Sequence, residues 1–103
     1  SLDGKKIAAV VKQDNQWGIA VDGSVWDDKY EMAWNPVISP CGQFVLAKVE
    51  KGGKYFVASN GRTLSAAYDE LWEPIFSPDG KSVLLRYVLD EKYHRQVIPI
   101  GEL

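Results

Sequence analysis

Apolar and polar residues alternate along this chain in short runs, the period-two pattern of strands that bury one face. Residues 43–50 (QFVLAKVE) and 54–60 (KYFVASN) are rich in aromatic and β-branched side chains, which suit a pleated surface. Lys51-Gly52-Gly53 between them reads as a tight hairpin connection. Asp22-Gly23 and Asn60-Gly61 are two-residue turn signals, because a type I′ turn requires positive φ at both central positions. Ser77-Pro78-Asp79-Gly80 is a further turn, with proline presetting φ and glycine taking the left-handed position.

These signals recur. Trp34-Asn35-Pro36-Val37-Ile38-Ser39-Pro40-Cys41-Gly42 returns 38 residues later as Trp72-Glu73-Pro74-Ile75-Phe76-Ser77-Pro78-Asp79-Gly80. The same offset pairs Tyr30 with Tyr68, Glu31 with Asp69, Gly23 with Gly61 and Ala20 with Ala58. It also carries Trp17 to Tyr55 and Tyr93, and Gly4 to Gly42 and Gly80. One period predicts four antiparallel strands, 35–39, 43–50, 54–60 and 62–66, the size of a β-propeller blade. The chain then reads as a single all-β domain over 1–103, with a partial blade over 3–28, a full blade over 35–66 and a partial blade over 73–100. Ten strands make about two and a half blades, short of the four to eight a propeller ring needs. Its open faces would expose apolar surface and unpaired edges, so a homo-oligomer or a longer parent chain is expected to complete it.

Composition narrows the function classes. Hydrophobic residues are 46% and charged residues 25% of the chain, an ordinary globular balance that argues against disorder. A formal net charge of −2 with no basic stripe gives a nucleic-acid partner no electrostatic support. No run reaches the roughly 18 apolar residues of a membrane span. No charged-then-apolar leader stands at the start, so no secretion signal is expected in this chain. Cys41 is the only cysteine; with no disulfide to form, a reducing compartment such as the cytoplasm fits best.

Ser77-Pro78-Asp79-Gly80-Lys81 ahead of an apolar strand is similar to the SPDGK hallmark of TolB/WD40-like propeller repeats. It appears again as Ser39-Pro40-Cys41-Gly42-Gln43, with cysteine in the aspartate slot, and truncated as Asp3-Gly4-Lys5. The fuller pattern, Tyr-acidic-x-x-Trp-x-Pro-apolar-apolar-Ser-Pro-x-Gly, joins a Trp-Gly-Ile-Ala-Val-Asp-Gly strand at 17–23. Together they resemble the tryptophan-rich TmcD-type subunits of transmembrane electron-transfer complexes in sulfate-reducing bacteria. That resemblance implies an accessory subunit without a cofactor of its own, docking a cytochrome or a membrane redox subunit. The residues agree on the cofactor, since no haem, iron–sulfur or flavin motif is present.

Nothing in the chain assembles a catalytic constellation. His94 has no histidine or cysteine near it in sequence, and Cys41 reads as a substitution for aspartate in a turn. Asp27-Asp28 lacks the alternating oxygen spacing of a calcium loop. No metal site, cofactor or enzyme activity is expected. Trp34 and Trp72 share one repeat phase, and either pack between blades or line a binding face. Trp17, Tyr55 and Tyr93 begin strands and read as core, and Trp26 as a buried outer-strand residue. Tyr30-Glu31 and Tyr68-Asp69 lie where the chain crosses between blades, as solvated loop or as an acidic, aromatic docking surface. The expected function is a non-catalytic protein-interaction module, with Tyr30, Glu31, Trp34, Tyr68, Asp69 and Trp72 as the partner surface. The alternatives are a glycan-binding propeller with one tryptophan per blade, or a propeller supporting a hydrolase encoded elsewhere.

Overall fold

A computed structural model describes residues 6–103. The truncated Asp3-Gly4-Lys5 turn, the Gly4 repeat position and the start of the first partial blade lie outside the described residues. The described chain is all-β and antiparallel, with one 3-10 turn at Ile100–Glu102. Its first sheet is β1 (Ala8–Gln13), β2 (Gln16–Val21) and β3 (Ser24–Val25), paired in that order. The second contains β4 (Met32–Ala33), β5 (Val37–Ile38), β6 (Val45–Lys51), β7 (Lys54–Ser59) and β8 (Arg62–Thr63). The third contains β9 (Glu70–Leu71), β10 (Ile75–Phe76), β11 (Ser82–Leu89) and β12 (Lys92–Pro99).

The long hairpins each turn on two residues with positive φ, Asp14-Asn15, Gly52-Gly53 and Asp90-Glu91, the second of them where the sequence predicts. Gly80, at φ 72°, has a second constraint. A Cβ there would stand 3.2 Å from Cδ of Pro40, because the Ser-Pro turns of neighbouring sheets touch. Backbone-capping bonds repeat with the sequence. Val45 N–H donates to Asn60 Oδ1 at 2.8 Å, as Ile7 N–H does to Asp22 Oδ1 at 2.9 Å. Phe44 N–H donates to Ser39 Oγ and Ser82 N–H to Ser77 Oγ, at 3.1 and 3.0 Å.

The leading strand departs from expectation. It begins at Met32 and Glu70 rather than at 35 and 73, and it is broken in the middle. Ala33 faces Val49 and Val37 faces Leu46, so three residues oppose two: a β-bulge at Trp34-Asn35-Pro36. Leu71 facing Tyr87 and Ile75 facing Leu84 place the same bulge at Trp72-Glu73-Pro74. Proline, lacking an N–H, is tolerated at such a site, and the sequence pattern alone reads it as a strand boundary. Among the described residues twelve strand segments therefore stand where ten strands were expected.

Successive sheets pack face to face, and alternation assigns each residue a side. The forward face of the first sheet (Val10, Trp17, Ile19, Val21) packs on the rear face of the second (Ala47, Val49, Phe56, Ala58). The forward face of the second (Leu46, Tyr55, Val57) packs on the rear face of the third (Val83, Leu85, Tyr87, Ile98). Both faces of the middle sheet are thus buried, and its β6 reads Val-Leu-Ala-Lys-Val rather than apolar–polar. The described residues form a thin body, 39 × 38 × 17 Å.

Repeat mates should differ in energetic weight according to which face is covered. Leu46 is fully buried, whereas Leu84, at the same phase, lies half-buried on the outward face of the third sheet. Leu46→Ala is expected to cost about 2–5 kcal/mol of unfolding free energy. Leu84→Ala should cost about 1 kcal/mol or less at high dilution, checked by urea denaturation of both variants.

Candidate functional site

The crossing segments are the joints of the fold. Tyr30 exchanges both backbone hydrogen bonds with Trp17 of the first sheet, each at 2.8 Å, and the next residue, Glu31, donates to Glu50 of the second. Tyr68 repeats this with Tyr55, and Asp69 donates to Val88 of the third sheet. The side chains of Tyr30 and Tyr68 are consequently buried, not displayed to a partner. The Tyr30 hydroxyl lies 2.6 Å from Thr63 Oγ1, which donates to Asp28 Oδ2 at 2.7 Å, so Tyr30 is the donor to Thr63. Burial pushes both phenols above their usual range.

Glu31 and Asp69 are tied into hairpin turns. Glu31 Oε1 accepts from Gly52 N–H at 2.7 Å, and Asp69 Oδ2 accepts from Asp90 N–H at 2.9 Å, the same bond one repeat on. Asp69 also pairs with Lys54. The Lys54 ammonium and the Asp90 amide hold the Asp69 carboxyl below its usual range. The expected acidic docking surface is therefore engaged in bracing the hairpin tips.

Trp34 and Trp72 occupy the same bulge with different fates. Trp34 lies 5.9 Å from the Tyr55 ring, with Lys48 Nζ 4.2 Å from its own ring centre and 5.0 Å from that of Tyr55. Cation, indole and phenol form a cluster on the forward face of the second sheet, the two rings tilted by 50°. Its counterpart on the third sheet is Trp72, Tyr93 and Arg86; Trp72 and Tyr93 meet edge to face at 5.7 Å. No further sheet among the described residues packs there, so Trp72 is 42% and Tyr93 58% exposed. Trp17, Trp26 and Tyr55 do pack against the cores, as half-buried residues, whereas Tyr93 departs from its expected core position for want of a covering sheet. Arg95 pairs across strands with Arg86, and Val97, 65% exposed, with Leu84, extending this face. The Arg86 Nε is buried without a hydrogen-bond partner. Sequence reasoning missed Arg86, Arg95 and Val97; projecting the repeat onto sheet faces would have placed them beside Trp72.

A groove of about 560 Å³ runs between the leading strands of the second and third sheets, lined by Val37, Ile38, Pro40, Pro74, Phe76 and Arg86 among others. Ser77 borders it, but its hydroxyl donates to Asp79 Oδ1 at 2.6 Å and serves the turn. His94 stacks on Tyr87, ring centres 5.1 Å apart. Cys41 is exposed, and its sulfur lies 3.3 Å from Ser39 Oγ, reproducing the Ser77–Asp79 contact with sulfur in place of oxygen. Among the described residues no group of three or more His, Cys, Asp or Glu could hold a metal ion. No helix among them is long and apolar enough to cross a membrane.

The aspartate slot of the turn supports a prediction. Bonds from the Ser77 hydroxyl and the Lys81 amide hold Asp79 below the usual carboxylate range. A depressed folded-state pKa stabilises above the unfolded value, and that contribution is lost as pH falls through the folded one. Cys41→Asp should install the same turn and raise the urea midpoint at pH 7. The gain should shrink as pH falls through the depressed folded-state pKa and vanish once the carboxylate is protonated in both states.

Comparison with protein-family models, with curated proteins and with solved structures returned no match.

Proposed function

We propose that the three sheets are blades of a β-propeller sector and that the chain is a non-catalytic protein-interaction module. The propeller reading is supported by repeated antiparallel sheets packed face to face, of which the second shows all four strand positions, by a body about one strand length thick, and by passage of the chain from the last strand of one sheet to the first of the next. The observation that carries the functional reading is the uncovered aromatic and cationic face of the third sheet: Trp72, Tyr93, Arg86, Arg95 and Val97. Clustered Trp, Tyr and Arg are the residue types that dominate protein interfaces, and an exposed apolar patch of this kind marks an interaction site. The docking face is then this sheet rather than the acidic crossing segments. The Tyr-acidic-x-x-Trp-x-Pro repeat adds the class of setting, an accessory subunit of a bacterial membrane redox complex with no cofactor of its own.

A photo-crosslinking residue placed at position 97 tests this in the source cells, with position 24 on β3 of the first sheet as control. The expected result is a discrete protein adduct at 97 that Trp72→Ala weakens, and none at 24. Absence of a protein adduct at 97 contradicts the reading. Glycan binding predicts instead that sugars change the fluorescence of Trp72, the most exposed of the described tryptophans; a response across a sugar panel would favour that alternative.

A further inference from the structure

We infer that the outward face of the third sheet docks the outward face of the first sheet of a second copy of this chain, head to tail. This rests on the interaction-module reading and names the partner. The inter-sheet contact occurs twice within the molecule, and each time a forward face carrying a ring near the start of β2 or β7 meets a rear face. Among the described residues two halves of that contact remain open. One is the forward face of the third sheet, where Trp72, Tyr93 and Arg86 stand at the phases of the half-buried trio Trp34, Tyr55 and Lys48.

The other is the rear face of the first sheet. There Ala9, Val11 and Ala20 stand at the phases of Ala47, Val49 and Ala58, with identical residue types. In the second sheet those three are fully buried beneath Trp17 and Ile19; in the first, Ala9 and the preceding Ile7 are exposed, Ile7 by 70%. Gly18 replaces Phe56 at the centre of this face, crossed by the aliphatic stem of Lys29 3.4 Å from where a Cβ would stand. The exchange removes a ring and leaves the surface shallower, which suits a forward face where Arg95 takes the position of Ile19. The contact is heterologous: different patches meet, so association closes a ring or extends as a stack, and is not limited to a two-fold pair. Arg86, Arg95 and Lys29 put like charges on the two sides, so added salt should strengthen self-association.

Two variants test this, each blocking one face at exposed positions: Y93K/V97K on the third sheet and I7K/A9K ahead of and within β1. Light scattering across a dilution series should show wild-type mass rising with concentration and each variant alone remaining monomeric. An equimolar mixture should give a dimer of the two variants and nothing larger, since each retains one working face. A wild-type chain that stays monomeric up to on the order of 1 mM overturns the inference. So does an I7K/A9K variant that still dimerises alone, the mark of a two-fold pair through the third sheet, or a mixture that fails to associate. Circular dichroism checks that the variants fold. If they do not, acrylamide quenching of the wild type decides: Trp72 must become shielded as concentration rises, and constant quenching overturns the inference. Lack of self-association with a persisting adduct to a different protein at position 97 removes only the second-copy assignment. Lack of both removes the interaction-module reading as well.

Discussion

The structure depends on a change of hydrogen-bonding partner between two consecutive residues. Tyr30 is bonded through its N–H and carbonyl to the first sheet, and Glu31 donates to the second; Tyr68 and Asp69 repeat the step between the second and third. With no linker between the two bonds, the neighbouring sheets have little freedom to slide or separate. The buried tyrosine at each joint is a consequence, since a residue bonded at the seam points its ring into the space between sheets. The acidic residue that follows braces the neighbouring hairpin turn, so one dipeptide fixes both the sheet offset and the tip of the next hairpin.

From that fixed offset the rest follows. Each sheet acquires a forward face with an aromatic ring and a rear face, and the middle sheet buries both. Small residues dominate where the first sheet rests on the second, Ala47 and Ala58 beneath Trp17, and larger ones where the second rests on the third, with Leu85 and Tyr87 opposite Tyr55. Among the described residues the first and third sheets keep one face each uncovered, and apolar side chains stand there: Ile7 and Ala9 on the first, and Trp72, Tyr93 and Val97, beside Arg86 and Arg95, on the third. Quasi-one-dimensional arrays of repeats require such ends to be capped or covered, because each unit contacts only its neighbours.

Much of the fold was legible from the residues. The hairpins at Asp22-Gly23, Gly52-Gly53 and Asn60-Gly61 are dictated by local backbone chemistry, and all three turn as expected. The bulge at Trp34-Asn35-Pro36 was not, because its signal is a mismatch of one residue between partner strands, and pairing is invisible in a single strand's pattern. The candidate site was less legible. Tyr30 and Tyr68 look like loop residues until their backbone bonds are seen, and Glu31 looks free until Gly52 is placed beside it. Trp34 and Trp72 are indistinguishable in sequence; only the presence or absence of a following sheet separates a packing residue from a surface one.

The central claim is that the tyrosine joints hold the sheets together, and residue-resolved amide hydrogen exchange tests it most directly. The amides of Trp17, Tyr30, Tyr55 and Tyr68 are predicted to be protected to the level of Val49 and Val57 in the core strands, since opening a joint requires separating two packed faces. Exchange of Tyr30 and Tyr68 at the rate of the exposed Gly52-Gly53 turn, with the core strands still protected, would contradict the account. The sheets would then be independent units joined by ordinary loops.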